Sequence, residues 1–308
     1  MFGQNYVKTR SDFSPGLINA KLNLPEYKVY KFKTTLLENI ISVKENNNSN
    51  NAFFIEVPKS LFYKSIASEF EQYYLRSLLQ ISDFSSLKKN INDSWKYTTY
   101  YYSFFFSNVA LHRYLNKGYI YLDRENTALL NKIFSAILPF SVSLGTGNWF
   151  FQKIGETSGV VELELKKVGG NIHQLLWYDL KSTLREFESQ SARKNNTNEN
   201  TILKRLINVL KNDNSFSPSE VRNYVNYVSE ISIDEIDNKI ICPQMKISEF
   251  IKNLSKFTYN KSYLSQMTFS MLIGQYIHLF NTKIIEDIQL RNTRSFKLKK
   301  KYEKLKKL

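Results

Sequence analysis

Between Ser94 and Leu115 the chain reads SWKYTTYYYSFFFSNVALHRYL, and nine of these twenty-two residues are Trp, Tyr or Phe. Asp93 or Ser94 stands where a helix N-cap belongs and Gly118 where a helix ends, so the spacing predicts one helix over Ser94–Asn116. Its rings do not keep to one side. Tyr97, Tyr101, Phe104, Asn108, Leu111 and Leu115 form one stripe, and Trp95, Tyr102, Phe105, Phe106 and Val109 cover much of the remainder. Thr99, Ser103 and Ser107 make a thin line of small side chains. A helix that is apolar nearly all round is expected to be enclosed on nearly all sides, with a neighbouring backbone approaching along the small residues. We therefore expect the central helix of a bundle, or a helix shared with a second copy or a protein partner. The alternative for so many rings is an exposed platform on which bases stack.

The rest of the chain agrees with a helical architecture. Glycine (10) and proline (6) are scarce among 308 residues, which favours long helices over a many-stranded sandwich. Phe62, Ile66, Phe70, Tyr74 and Leu78 recur every four residues within the helix expected over Pro58–Leu79. Asn171 reads as an N-cap for a helix with Leu176, Leu180, Leu184 and Phe187 on its face. Ser217, Pro218 and Glu220 make a capping box, with Phe216 and Val221 as its staple. A last long helix starts near Ser265, carries Phe269, Ile273, Tyr276, Phe280, Ile284 and Ile288, and is expected to run into the basic C-terminal segment.

The period changes in two places. Six of the ten glycines lie between Gly145 and Gly170. There NWFFQKI and GVVELEL flank GETSG, and Val161, Leu163 and Leu165 alternate with Glu162 and Glu164, as in a hairpin near 148–166 with one buried face. ENIISV and AFFIEVP are short runs able to pair as strands on either side of KENNNSNN. That segment and KNNTNENT (Lys194–Thr201) hold nothing apolar and are expected to be exposed loops. The organisation expected is thus an N-terminal segment with possible short strands (1–57), a helical core carrying the hairpin (58–193), and a helical region with a basic end (202–308). The fold class is mainly α: a helical bundle with a small β-hairpin insertion and a basic C-terminal helix or tail.

Charge is concentrated. Of a net +15, the segment from Arg291 to Leu308 supplies +8 through Arg291, Arg294, Lys297, Lys299, Lys300, Lys301, Lys304, Lys306 and Lys307 against Glu303. Such a run either meets phosphate or is a solvated end. These nine cations are the candidate nucleic-acid-binding residues, with RNA expected rather than DNA. The single cysteine, Cys242, excludes an internal disulfide and a thiolate metal site. His112, His173 and His278 are isolated from one another, with no second His or Cys at ligand spacing, so neither a metal nor a cofactor is expected. No GxSxG, HExxH or P-loop occurs, and GTG at Gly145–Gly147 precedes a strand, as a turn does. No apolar run is long enough to span a bilayer, nothing in MFGQNYVKTR reads as a signal peptide, and a cytoplasmic location is expected.

The segment SWKYTTYYYSFFFSNVALHRYLNKG, preceded by FYKSIASEFEQYYLRSLLQ, resembles the central helix and packed partner of HEPN-type helical domains over roughly Pro58–Leu138. The resemblance implies a helical, often dimeric protein of a bacterial antiviral or toxin–antitoxin system that acts on RNA. HEPN ribonucleases work without metal and carry an Arg followed four to six residues later by a His. Here no Arg precedes a His at that distance, and His112-Arg113 has the order reversed. The resemblance then implies a non-catalytic member, a nucleic-acid-associated accessory protein. Two alternatives stand beside it: a metal-independent ribonuclease using His112 and Arg113, and a helical protein–protein interaction module.

Overall fold

A computed structural model describes residues 12, 16, 30–46, 52–87, 92–193, 197–213, 216–227 and 245–291. The basic residues from Arg294 onward and Cys242 lie outside the described residues, and of Arg291 only the backbone is described. The chain is mainly helical, with nine helices and five strands among the described residues. They form two units, one from residues 73–111 and 173 onward, the other from residues between 16 and 72 with 112–172.

The second of these is built on a sheet. Strands β1 (Ser42–Glu45), β2 (Ala52–Pro58), β3 (Lys117–Leu122), β4 (Gly147–Glu156) and β5 (Val160–Val168) lie in the order β1-β2-β5-β4-β3, every pair antiparallel. The expected hairpin is β4–β5, with a register shift between Lys153 and Gly155. It is not an insertion among helices but the middle of the sheet, flanked by β2 on one side and β3 on the other. Alternation explains which face is buried. Ile55 sits opposite Leu163, Phe151 opposite Leu165 and Ile120 opposite Trp149, and all six are buried. Helices α1 (Phe32–Glu38) and α4 (Arg124–Ile137) cover that face. Phe32 stacks on Phe151 with ring centroids 3.9 Å apart, and Phe134 meets Phe53 edge-on at 5.0 Å. The first half of α2 (Lys59–Ser86) joins them through Phe62, 5.9 Å from Phe32.

The other unit is a helical assembly around α3 (Asp93–Tyr114). It contains the second half of α2 with α5 (Ile172–Arg193), α6 (Thr197–Asn212), α7 (Pro218–Tyr227), α8 (Ile247–Lys256) and α9 (Tyr263–Arg291). Asn92 rather than Asp93 caps α3, its Oδ1 accepting from the Ser94 amide at 2.7 Å. The small residues work as expected at two of three positions. Ser107 Oγ bonds Ser77 Oγ on α2 at 2.7 Å, and its carbonyl accepts from Asn281 Nδ2 on α9 at 2.8 Å. Ser103 is buried beside them. Gly274 of α9 lies so close that an added Cβ would stand 3.1 Å from both Phe104 Cβ and the Tyr100 hydroxyl. That hydroxyl donates to the Met271 carbonyl at 2.7 Å. On the α5 side, Asn108 Nδ2 donates to the Leu176 carbonyl at 3.0 Å and Phe104 meets Trp177 at 6.2 Å.

Two expectations fail here. The enclosure of α3 is incomplete: Tyr97, Tyr100, Tyr101, Phe104, Val109 and Leu111 are buried, but Tyr102, Phe105 and Phe106 are only half-buried and Trp95 is 66% exposed. The packing covers one side of α3 fully, and on its other side the rings meet only the flank of α2 at Tyr73 and Arg76 and α7 at Arg222. The second concerns the Asn-rich segments. Thr197–Asn200 opens α6 instead of looping, because Ile202, Leu203, Leu206, Ile207 and Leu210 behind it are buried and Glu199 is anchored by Ser191 Oγ at 3.2 Å. Asn46 is likewise buried, its Nδ2 donating to Glu164 Oε1 at 3.1 Å.

Phe104→Ala should destabilise the protein by about 3–5 kcal/mol, the range for emptying a buried Phe site, whereas Trp95→Ala should stay within about 0.5 kcal/mol of the parent. Urea denaturation of the two variants side by side checks both, and equal effects would contradict the assignment of the two faces.

Candidate nucleic-acid interface on the third helix

The residues singled out at the end of α3 are interior. His112 is fully buried and Arg113 is 3% exposed. Arg113 Nε donates to Glu69 Oε2 at 2.5 Å, Nη2 to the Tyr119 carbonyl at 2.8 Å, and Nη1 toward the Lys117 carbonyl at 3.4 Å. Its guanidinium lies 4.9 Å from the Phe151 ring centroid. Glu69 Oε1 in turn accepts from the Phe32 amide at 2.8 Å. This buried ion pair fastens α1, α2, α3 and β3 to one another. The chain turns between α3 and β3 at Asn116, which takes φ 56°. At Gly118, with φ 150°, a Cβ would fall 1.7 Å from Arg113 Nη1, so only glycine leaves room for the guanidinium.

The exposed face of α3 is chemically distinct. Trp95, Thr99, Tyr102 and Phe106 follow one line at helical spacing. Tyr102 and Phe106 have ring centroids 6.4 Å apart, and Phe106 continues to Tyr73 of α2, also at 6.4 Å. An arginine lies at each end of this group. Arg76 stands 5.8 Å from the Tyr73 centroid and 5.7 Å from that of Phe106. Arg222 of α7 stands 4.9 Å from Tyr101 and 5.8 Å from Tyr102, with Nη1 toward the Tyr102 hydroxyl at 3.4 Å and Nη2 donating to Asn223 Oδ1 at 2.6 Å. Neither guanidinium is paired with a carboxylate among the described residues. Cation–π contact orients each plane and leaves its charge available.

Beside the strip, His173 packs on Phe105 at 4.3 Å and shares a 2.7 Å hydrogen bond between Nδ1 and the Tyr101 hydroxyl. Burial, reinforced by the Arg222 charge, lowers its pKa to about 4. His278, fully enclosed next to Tyr74, is lowered to about 4 by burial. The cavity beside His173 and Trp177 measures about 10 Å³, room for one water molecule. Among the described residues no group of three His, Cys, Asp or Glu side chains could hold a metal ion, and no helix is long and apolar enough to cross a membrane.

His112 and Arg113, the pair a ribonuclease would use, are consecutive interior residues of α3, while the exposed alternative for its rings corresponds to a strip framed by two arginines. Its rings were visible in the sequence, but Arg76 and Arg222 are 146 positions apart and nothing in the spacing joins them. No family model, no curated protein and no solved structure matches the chain.

Two outcomes follow from these contacts. Arg113→Ala should cost about 3–5 kcal/mol, because Glu69 is left as a buried unpaired charge, and Gly118→Ala should destabilise by the same contact. Thermal unfolding measures both. Acidification should also weaken the fold. Both histidines are neutral when folded, so below about pH 6.5 the unfolded chain takes up protons that the folded chain refuses until near pH 4. Stability should fall as pH drops through that window, and the loss between pH 7 and 5 should shrink when His173 and His278 are both replaced by Gln, as read from denaturation midpoints at each pH.

Proposed function

We propose that the chain is a nucleic-acid-associated accessory protein, acting on RNA rather than DNA and without an active site of its own, in keeping with the HEPN-like character of its aromatic helix and with a role in bacterial antiviral defence or a toxin–antitoxin system. The observation that carries this reading is the pair of arginines, Arg76 and Arg222, held on half-buried rings without an acidic partner among the described residues. A net charge of +15, with +8 of it between Arg291 and Leu308, supports the same class of partner. The ribonuclease alternative is not favoured, since the guanidinium of Arg113 is committed to Glu69 and two carbonyls.

Nine cations in the last eighteen residues would follow a phosphate backbone without reading sequence. Full-length protein should bind a labelled single-stranded RNA with an affinity that falls as salt rises, at a slope of about −0.7 per phosphate contact. Removal of Lys297–Leu308 should flatten that slope. Anisotropy titrations at four salt concentrations test it. Absence of binding by the full-length chain at low salt would remove the reading, and unequal capture by anionic vesicles over RNA would redirect it to a membrane surface.

A further inference from the structure

We infer that the strip Trp95–Tyr102–Phe106, framed by Arg222 and Arg76, is a binding site for an unpaired nucleic-acid strand, each ring taking one base face and each guanidinium a flanking phosphate. The inference rests on the proposed association with nucleic acid and specifies where and in what form the strand is held.

Spacing argues for a single strand. The Tyr102 and Phe106 centroids are 6.4 Å apart, while bases stacked in a duplex repeat every 3.4 Å or so along each strand. Neighbouring bases can therefore reach both rings only if they are unstacked from each other, which a duplex does not permit. Trp95 lies seven residues before Tyr102 on the same line, about 10 Å along the helix, within reach of one or two further nucleotides of an extended strand. It is the most exposed of the three tryptophans, since Trp149 and Trp177 are buried.

Charge argues for a polyanion. A purely apolar strip would suit another protein, but here each end of the Tyr102–Phe106 pair is occupied by a guanidinium lying against a ring face. The two guanidinia stand at opposite ends of the Tyr102–Phe106 pair, neither paired with a carboxylate among the described residues, so a ligand carrying several negative charges laid along the strip meets both. A second copy of this chain, net +15, matches such a site less well than a polyanion does. Stacking uses the π-face that every base has, so the site is tolerant of sequence. Stacking and phosphate contact are common to RNA and DNA single strands.

The test uses the full chain with three ten-nucleotide probes: oligouridine, oligothymidine and a mixed-sequence RNA duplex. Tyr102→Ala and Phe106→Ala are each expected to weaken oligouridine binding by between about fivefold and a hundredfold. Arg76→Gln, at an exposed position, is expected to reduce the salt slope by about one contact. Oligouridine should quench tryptophan fluorescence, and Trp95→Phe should abolish the quench while the circular dichroism spectrum stays unchanged. A preference for oligouridine over oligothymidine, or the reverse, supports the site and identifies its source. Binding of the parent protein that none of these variants alters would overturn the inference and leave the broader reading intact, since the basic segment would then account for the affinity. Equal competition by the duplex, or a change in native mass of the variants in place of a change in affinity, would also overturn it. No binding by the parent would end both.

Discussion

The approach of α9 to α3 governs the larger unit. Gly274 allows the two backbones to come close enough that Tyr100 reaches a main-chain carbonyl of α9 and Asn281 reaches one of α3. Two side-chain-to-backbone bonds in a buried seam cannot be exchanged for water, so they define the rotation of α3 about its own axis. Once that rotation is set, the direction of every ring follows. Tyr100 and Phe104 must point into the seam, Tyr101 and Asn108 toward α5 and α7, and Tyr102 and Phe106 away from it. The exposed strip is therefore a consequence of how the opposite face packs. It also explains why α3 tolerates so many rings: they are divided between interior and surface by geometry, at positions a composition count treats alike.

In the smaller unit the comparable constraint is the Glu69–Arg113 pair. A buried ion pair is weak evidence of net stabilisation but strong evidence of register. Here it joins helix α1 through the Phe32 amide, α2 through Glu69, and the α3–β3 connection through two carbonyls. The arginine that a nuclease reading would make catalytic is the one that holds the sheet to its helices.

Much of the architecture was legible where one physical signal dominated. The four-residue recurrence from Phe62 to Leu78 is buried up to Tyr74 and half-buried at Leu78, and that from Phe269 to Ile288 is buried throughout, because a single apolar stripe admits only one orientation. The alternation at Val161, Leu163 and Leu165 marked its strand for the same reason. What escaped was contextual. KGYIYL has the alternation of a strand, with Ile120 and Leu122 buried and Tyr121 outward, but Gly118 within it also carries the signature of a helix end. Thr197–Asn200 has the composition of a loop and is helical because the following turns are anchored in the core. The strip depends on Arg76 and Arg222 meeting the same helix from two different elements, a juxtaposition created by packing and carried by no local pattern.

The seam between α3 and α9 has a consequence for biosynthesis. Tyr100 and its acceptor at Met271 are separated by 171 positions. At about 5–20 residues per second, a ribosome needs on the order of ten to thirty seconds to supply the second after the first has been made. Throughout that interval a helix dense in aromatic side chains lacks the surface it is shaped to meet, while the strands of the sheet, complete by Val168, already have theirs. Until the last helix is made, the seam side of α3 stays without its partner, although the sheet is already complete.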